Sequence, residues 1–330
     1  MFLTRIKRRE SGILLYGITP PKAKATQEKI KESAERSLTT LSTLDIDALV
    51  VYDVQDEAAR TSELRPFPFS SSLDPFEYAS RFLNGLPVPK IIYRPAGNFT
   101  SAELTQWLCG LKSHGFFPIF VGLPSPDHVV KTTLAEAYNI WREHYGDSVI
   151  GAVTIPERHA VLKDEDVRIL DKVNCGVSFF ISQCIFNVEY TKKTLDDLAA
   201  TCRAKGRELP TIIFTLTICG SARTLDFMEW LGIHIPQNIK EELKLSSNAV
   251  ARSVEIATVI ARDLIRYCLE LGVPFGFNVE SVATRREEVE ASVQLLNAIA
   301  EMLKSQGLRP DSKVDADSIC RTIPAIRETF

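Results

Sequence analysis

No two of the chain's seven cysteines stand at C-x-x-C spacing. That absence removes the usual zinc and dithiol redox motifs. The odd number and wide scatter, at positions 109, 175, 184, 202, 219, 268 and 320, give no disulfide framework and fit a reducing cytoplasm. No apolar run approaches the ~20 residues of a membrane span. The N-terminus lacks the charged-then-apolar order of a secretory signal. An excess of positive charge is also missing. Lys and Arg total 39 against 42 Asp and Glu, for a net charge of −3 and a pI near 6.0. Broad nucleic-acid binding needs clustered cations and is not expected. The one basic run, residues 5–9, reads as a solvated, poorly ordered terminus. Histidine is scarce, at five. Too few can converge for a zinc site, while a magnesium ion held by carboxylates stays open. No G-x-G-x-x-G, G-x-S-x-G, P-loop or kinase signature occurs.

What is present is an ordinary globular composition, 45% hydrophobic and 25% charged, over 330 residues. Short apolar runs alternate with longer amphipathic segments eight times. The runs are 13–18, 48–54, 90–94, 116–121, 149–155, 177–183, 211–217 and 275–279. They are rich in Val, Ile and Phe and do not alternate with polar residues, the pattern of strands buried on both faces. Helices are expected at 26–41, 74–84, 101–113, 132–144, 164–173, 191–204, 221–231, 237–271 and 284–306. Asp74 and Ser101 stand where N-caps belong, and Gly115, Gly206, Gly232, Gly272 and Gly307 stand at C′ positions. Strict alternation implies a parallel sheet with right-handed crossovers. Eight pairs with no spare strand favour a closed α/β barrel, a single-domain (β/α)8 TIM barrel. Residues 1–12 read as an N-terminal tail, 13–307 as the barrel and 308–330 as a C-terminal tail.

In such a barrel the chemistry sits at the C-terminal strand ends. The densest polar cluster there runs from Tyr52 to Glu57. Asp53 or Glu57 is a candidate acid or base, against a solvated loop with one helix-capping carboxylate. Arg94 ends the third run and suits an anion, or equally an ion pair with Asp53 or Glu57. Gln183 offers both a donor and an acceptor to a heterocycle. His159 is a candidate proton donor. Tyr52, Gln55, Gln183, Asn187, Asn278 and Glu280 are candidates to hold a substrate. The loop 60–73, with its Pro66-Phe67-Pro68-Phe69 run, is expected to cover the site.

Several of these stretches form a familiar series. Tyr16 to Lys22 (YGITPPK) resembles the first strand and Pro-Pro turn of methylenetetrahydrofolate reductases. Residues 176–183 with Phe186-Asn187-Val188 resemble their sixth strand, and 233–239 their Ile-Pro segment. The long helix 248–271 and the eighth run fall at the family's spacing. The resemblance spans about residues 13–302. It implies a flavin-dependent barrel that uses FAD and a nicotinamide donor, NAD(P)H, to reduce a folate. It assigns Gln183 to the folate and Lys172 to the flavin phosphates. Tyr93 or Arg94 stands where the family has a histidine near the flavin, and Pro156-Glu157-Arg158-His159 keeps part of a Tyr-Pro-Glu-x-His stretch. Tyr93, Arg94, Glu157 and Lys172 are therefore the expected cofactor contacts.

Two departures stand out. The family's general acid is a glutamate separated from the Pro-Pro turn by two residues, where this sequence has Gly17. Its fourth strand ends in Arg-Gly-Asp, where residues 120–124 carry no Asp. The reading is a divergent reductase of a folate or another small organic molecule. The alternatives are folate reduction with a relocated acid, a flavin-free folate enzyme, or a non-catalytic partner of a true reductase. A homo-oligomer is compatible with each.

Overall fold

All eight apolar runs become strands, because each is short, β-branched or aromatic and bounded by turn residues. They are β1 (Ile13–Ile18), β2 (Ala48–Val51), β3 (Lys90–Pro95), β4 (Phe117–Val121), β5 (Gly151–Thr154), β6 (Phe179–Cys184), β7 (Thr211–Thr217) and β8 (Phe275–Glu280). Each pairs in parallel with the next, and β8 returns to β1, closing a barrel. The computed structural model describes residues 2–57, 61–122, 129–146, 148–282 and 285–310.

Side chains alternate along each strand. One set, including Leu15, Val50, Ile91, Ile119, Ile181 and Ile213, fills the barrel interior. The other, including Leu14, Leu49, Ile92, Phe120, Phe180, Phe214 and Phe277, packs against the surrounding helices. Those helices are α2 (Gln27–Leu41), α3 (Pro75–Phe82), α4 (Ser101–His114), α5 (Leu134–Tyr145), α6 (Pro156–Leu162), α7 (Glu165–Asn174), α8 (Val188–Ala204), α9 (Ala222–Trp230), α10 (Gln237–Leu245), α11 (Ala249–Leu271) and α12 (Arg286–Ser305).

Residues 2–7 form a helix, α1 (Phe2–Lys7), in place of the expected solvated terminus. Its Phe2 and Ile6 are buried and join the barrel interior. Phe2 meets Phe117 and Phe179 with ring centroids 5.3 and 5.5 Å apart. These rings begin β4 and β6, so α1 closes the end of the barrel opposite the strand C-termini. Arg5 pairs with Asp47 at 3.0 Å, and Arg309 reaches the same carboxylate at 2.5 Å. Asp47 also accepts from Leu14 N at 2.8 Å. Two guanidinium groups on one half-buried carboxylate thus tie both chain ends to the barrel floor. A basic run is read as solvated only if its apolar neighbours have nowhere to go; here they enter the core. The expected tail from 311 to 330 lies outside the described residues.

Asp74 caps α3 as expected, accepting from Glu77 N at 2.9 Å. The cap of α4 is Thr100 rather than Ser101, because Glu103 closes a reciprocal capping box with it. Gly115 and Gly272 end α4 and α11 at φ of +65° and +75°. The expected helix stretch 237–271 breaks into α10 and α11. Ser246 is extended there, and Asn248 caps α11 through Ala251 N at 3.0 Å. Helix α6 was not expected; Pro156 starts it.

Candidate functional site

The inward-facing residues at the C-terminal ends of the strands define the mouth of the barrel. Glu280 is the last residue of β8 and lies beside Gly17 in the β1–β8 register. Its carboxyl accepts a hydrogen bond from the Tyr52 hydroxyl and one from Cys184 Sγ at 3.2 Å. Burial outweighs these two donors, and its pKa is raised. Asn278, two residues earlier on the same face, donates from Nδ2 to the Tyr52 oxygen at 2.8 Å and to Thr215 Oγ1 at 3.3 Å. With that oxygen already accepting, the phenolic hydrogen of Tyr52 is directed to Glu280. The Tyr93 ring meets the Tyr52 ring edge-on, 4.9 Å between centroids. Burial pushes both phenols and the Cys184 thiol well above their ordinary values, so all three are neutral donors.

Cys184 enters the mouth through an irregularity in β6. The β6–β7 register shifts between Ile181 and Cys184. Ser182 Oγ fills the gap by accepting from Thr215 N at 2.9 Å. A bulge re-aims side chains beside sites of this kind. Gln183 follows the inward residues Phe179 and Ile181, and its side-chain oxygen accepts from Cys184 N at 3.0 Å. Glu157, in the first turn of α6, accepts from its own backbone N–H and from that of His234. Burial first, and then the neighbouring Glu165, push its pKa to about 7.

Other candidates are placed elsewhere. Arg94 is buried and turned to the helix layer, where it pairs with Asp74 at 2.8 Å and Asp53 at 3.4 Å. It also lies over the rings of Phe99 and Trp107. The ion-pair reading of Arg94 therefore describes it, with Asp74 as the nearer partner. Asp53 is held by Arg94 and by Gln55 Nε2 at 2.6 Å, and Gln55 in turn accepts from Asn98 at 3.0 Å. Asp53 and Gln55 thus belong to one packed chain outside the mouth. His159 is buried between helices, its Nε2 2.9 Å from Asp197 on α8 and its Nδ1 3.8 Å from Asp166 on α7. It does not reach the mouth, because helix α6 turns it toward the outer layer. Asn187 caps α8 by accepting from Tyr190 N at 3.2 Å. Lys172 Nζ donates to Val153 O at 2.7 Å, and burial lowers its pKa to about 8. Glu57 ends the described part of its loop.

The loop segment 61–73 runs from the β2 side to α9. Near β1, Leu73 N donates to Pro21 O and Ala23 N to Ser71 O, both at 2.9 Å. At α9, Arg223 donates to Pro66 O at 2.6 Å and Trp230 Nε1 to Glu63 O at 3.1 Å. Arg65 sits over the rings of Phe69, Phe227 and Trp230. The segment therefore links the loop after β1 to α9, the helix that follows β7. Residues 58–60 lie outside the described residues.

Among the described residues, no three His, Cys, Asp or Glu side chains are grouped to hold a metal ion. No described helix is long and apolar enough to cross a membrane.

The sequence model of methylenetetrahydrofolate reductase matches residues 127–286. A solved protein from Clostridium thermocellum is 39% identical, covering 92% of this chain and 100% of its own, with a TM-score of 0.81. The chain belongs to the methylenetetrahydrofolate reductase family. The Clostridium protein is uncharacterized and is described as binding two copies of 5-methyl-5,6,7,8-tetrahydrofolic acid. EDTA monooxygenase from Chelativorans sp. BNC1 is 12% identical over 92% of this chain and 96% of its own, with a TM-score of 0.52, a likeness of fold alone. No curated protein matches the chain.

Within this reductase family, the strand-1 position of the acidic residue is Gly17 here, and the space beside it is filled. A Cβ at Gly17 would lie 2.8 Å from the Tyr52 ring. Cys184 is the mouth residue that sequence reasoning missed. Strand alternation from Phe180 and Ser182 points it outward, and only the bulge turns it to Glu280. The sequence places Glu280 among the substrate contacts. Its proton-holding environment comes from β2, β3 and β6, which are remote in sequence.

Proposed function

We propose that this barrel binds a reduced folate at the C-terminal mouth of its strands and carries out one-carbon chemistry on it. The observation that carries the reading is the Glu280 cluster: a half-buried carboxyl, an amide and a thiol beside two tyrosine rings. A pterin ring presents N–H donors, acceptor nitrogens and flat π faces. A carboxyl and amide set beside aromatic rings suits that mixture. The 39% identical Clostridium relative, described with 5-methyltetrahydrofolic acid bound, supports the same ligand class. Gln183 borders the cluster and offers a further amide. Calorimetric titration with 5-methyltetrahydrofolate tests this. Saturable binding is the expected result, and no heat or fluorescence change at millimolar ligand would overturn it.

The flavin that the family implies meets a poor fit at the expected contacts. Arg94 is engaged by Asp53 and Asp74, and Lys172 is tied to Val153 O with its pKa lowered toward neutrality. Neither offers a ready cation to a diphosphate. The reading without flavin is therefore preferred. Flavin-dependent reduction with a nicotinamide donor is the second reading, favoured by the retained Glu157 and Gln183. A visible spectrum after incubation with FAD and desalting separates the two. Retained yellow colour supports the second reading, and a colourless protein that still binds folate supports the first.

A further inference from the structure

We infer that Glu280 is the proton donor of the mouth, giving its carboxyl proton to the amine nitrogen N5 of a bound reduced folate, with Tyr52 and Asn278 as positioning residues. The inference rests on the folate-binding reading above and names the residue that would act in it.

Three geometric facts carry it. First, Glu280 is the inward-facing end of β8, and its β1 neighbour Gly17 has no side chain to cover it. Second, Tyr52 occupies the space beside Gly17, so that its hydroxyl reaches the carboxyl from the β2 side. Third, Cys184 reaches Oε1 from β6, and Asn278 fixes the direction of the Tyr52 hydroxyl. The titratable groups facing Glu280 are therefore Tyr52 from β2, Tyr93 from β3 and Cys184 from β6. All are neutral and none offers a countercharge. Glu157 of α6 acts on the same cluster through Cys184.

The arrangement fits both halves of a proton transfer. Before transfer, burial among neutral groups keeps the proton on the carboxyl, and its raised pKa agrees. In the step, the O–H bond of Glu280 breaks and an N–H bond forms with the lone pair of N5. No electrons leave either partner. Afterwards the carboxylate keeps the Tyr52 and Cys184 hydrogen bonds, which stabilise the anion. The acid or base candidates Asp53 and His159 are engaged away from this cluster. Asp53 is held by Arg94, and His159 is closed within the helix layer.

The test uses full-length protein and 5-methyltetrahydrofolate labelled with carbon-13 in the methyl group, whose resonance reports protonation of N5. In the wild type the bound resonance is expected at the protonated position to a pH well above that at which free ligand titrates. In Glu280→Gln the bound ligand is expected to lose a proton about one pH unit or more lower. Tyr52→Phe removes one donor to the carboxylate and keeps the ring, so it is expected to move the resonance part of the way. It also serves if Glu280→Gln does not fold. His159→Gln is expected to leave the resonance at the wild-type position. A bound resonance that neither Glu280→Gln nor Tyr52→Phe moves overturns the inference alone. No bound resonance in the wild type overturns the folate reading, and the inference falls with it.

Discussion

The ring of Tyr52 stands where a side chain at Gly17 would go, 2.8 Å from the Cβ that position would carry. The two residues come from neighbouring strands, and the absence of one side chain makes room for the other. Gly17→Ala should therefore cost about 1–3 kcal/mol, the usual range for overpacking. Gly17→Glu should cost more. In each case adding Tyr52→Ala should recover part of the loss, giving a favourable coupling in a double-mutant cycle followed by urea unfolding. Strictly additive losses would mean that the two side chains do not compete for this space.

Glu157 makes stability depend on pH in a defined direction. Its pKa is about 7 in the folded chain against 4.5 for an ordinary glutamate. The folded state holds the proton between those values and the unfolded state does not. Stability is therefore greatest below pH 4.5 for this group and falls as pH rises toward 7, by up to about 3 kcal/mol. Glu157→Gln should remove that part of the slope. Unfolding curves of both proteins across this interval check it, and parallel curves would count against the assignment.

Arg94 is a structural cation in this reading. Arg94→Met should destabilise by about 3 kcal/mol, because the mostly buried Asp53 loses its cation, while Asp74 is exposed enough to be solvated. Arg94→Lys should not restore the loss, since an ammonium cannot lie flat over Phe99 and Trp107 while serving both carboxylates. If Arg94→Lys matched the wild type in chemical denaturation, the stacking over Phe99 and Trp107 would not matter.

The segment 61–73 should act as a cover that Arg65 latches. Arg65→Ala removes the cation from among Phe69, Phe227 and Trp230, a loss of about 1–2 kcal/mol that corresponds to roughly 5–30-fold in an equilibrium. Faster proteolysis within the segment and faster dissociation of bound 5-methyltetrahydrofolate are the expected results, read by limited digestion and stopped flow. Unchanged folate kinetics after shortening the segment would sink its role as a cover.

The sequence by itself determined the barrel. Eight β-branched and aromatic runs, each followed by an amphipathic segment, have one economical closed arrangement, and the strand period places Tyr52, Tyr93, Asn278 and Glu280 on the inner face. Caps such as Asp74 were legible because capping is local. What the sequence left open depends on atoms far apart in the chain. Arg94 was legible as a strand-end cation that alternation turns to the helices, but its partners Asp74, Phe99 and Trp107 are supplied by the tertiary structure. His159 follows a strand, but the turn of α6 takes it to Asp197. Phe2 and Ile6 lie beside a basic run, but the open barrel floor admits them. Glu280 was legible as a polar strand end. Only tertiary structure surrounds it with Tyr52, Tyr93 and Cys184, neutral groups whose packing raises the pKa of the carboxyl. Periodicity is set by neighbours along the chain, whereas protonation is set by neighbours in space.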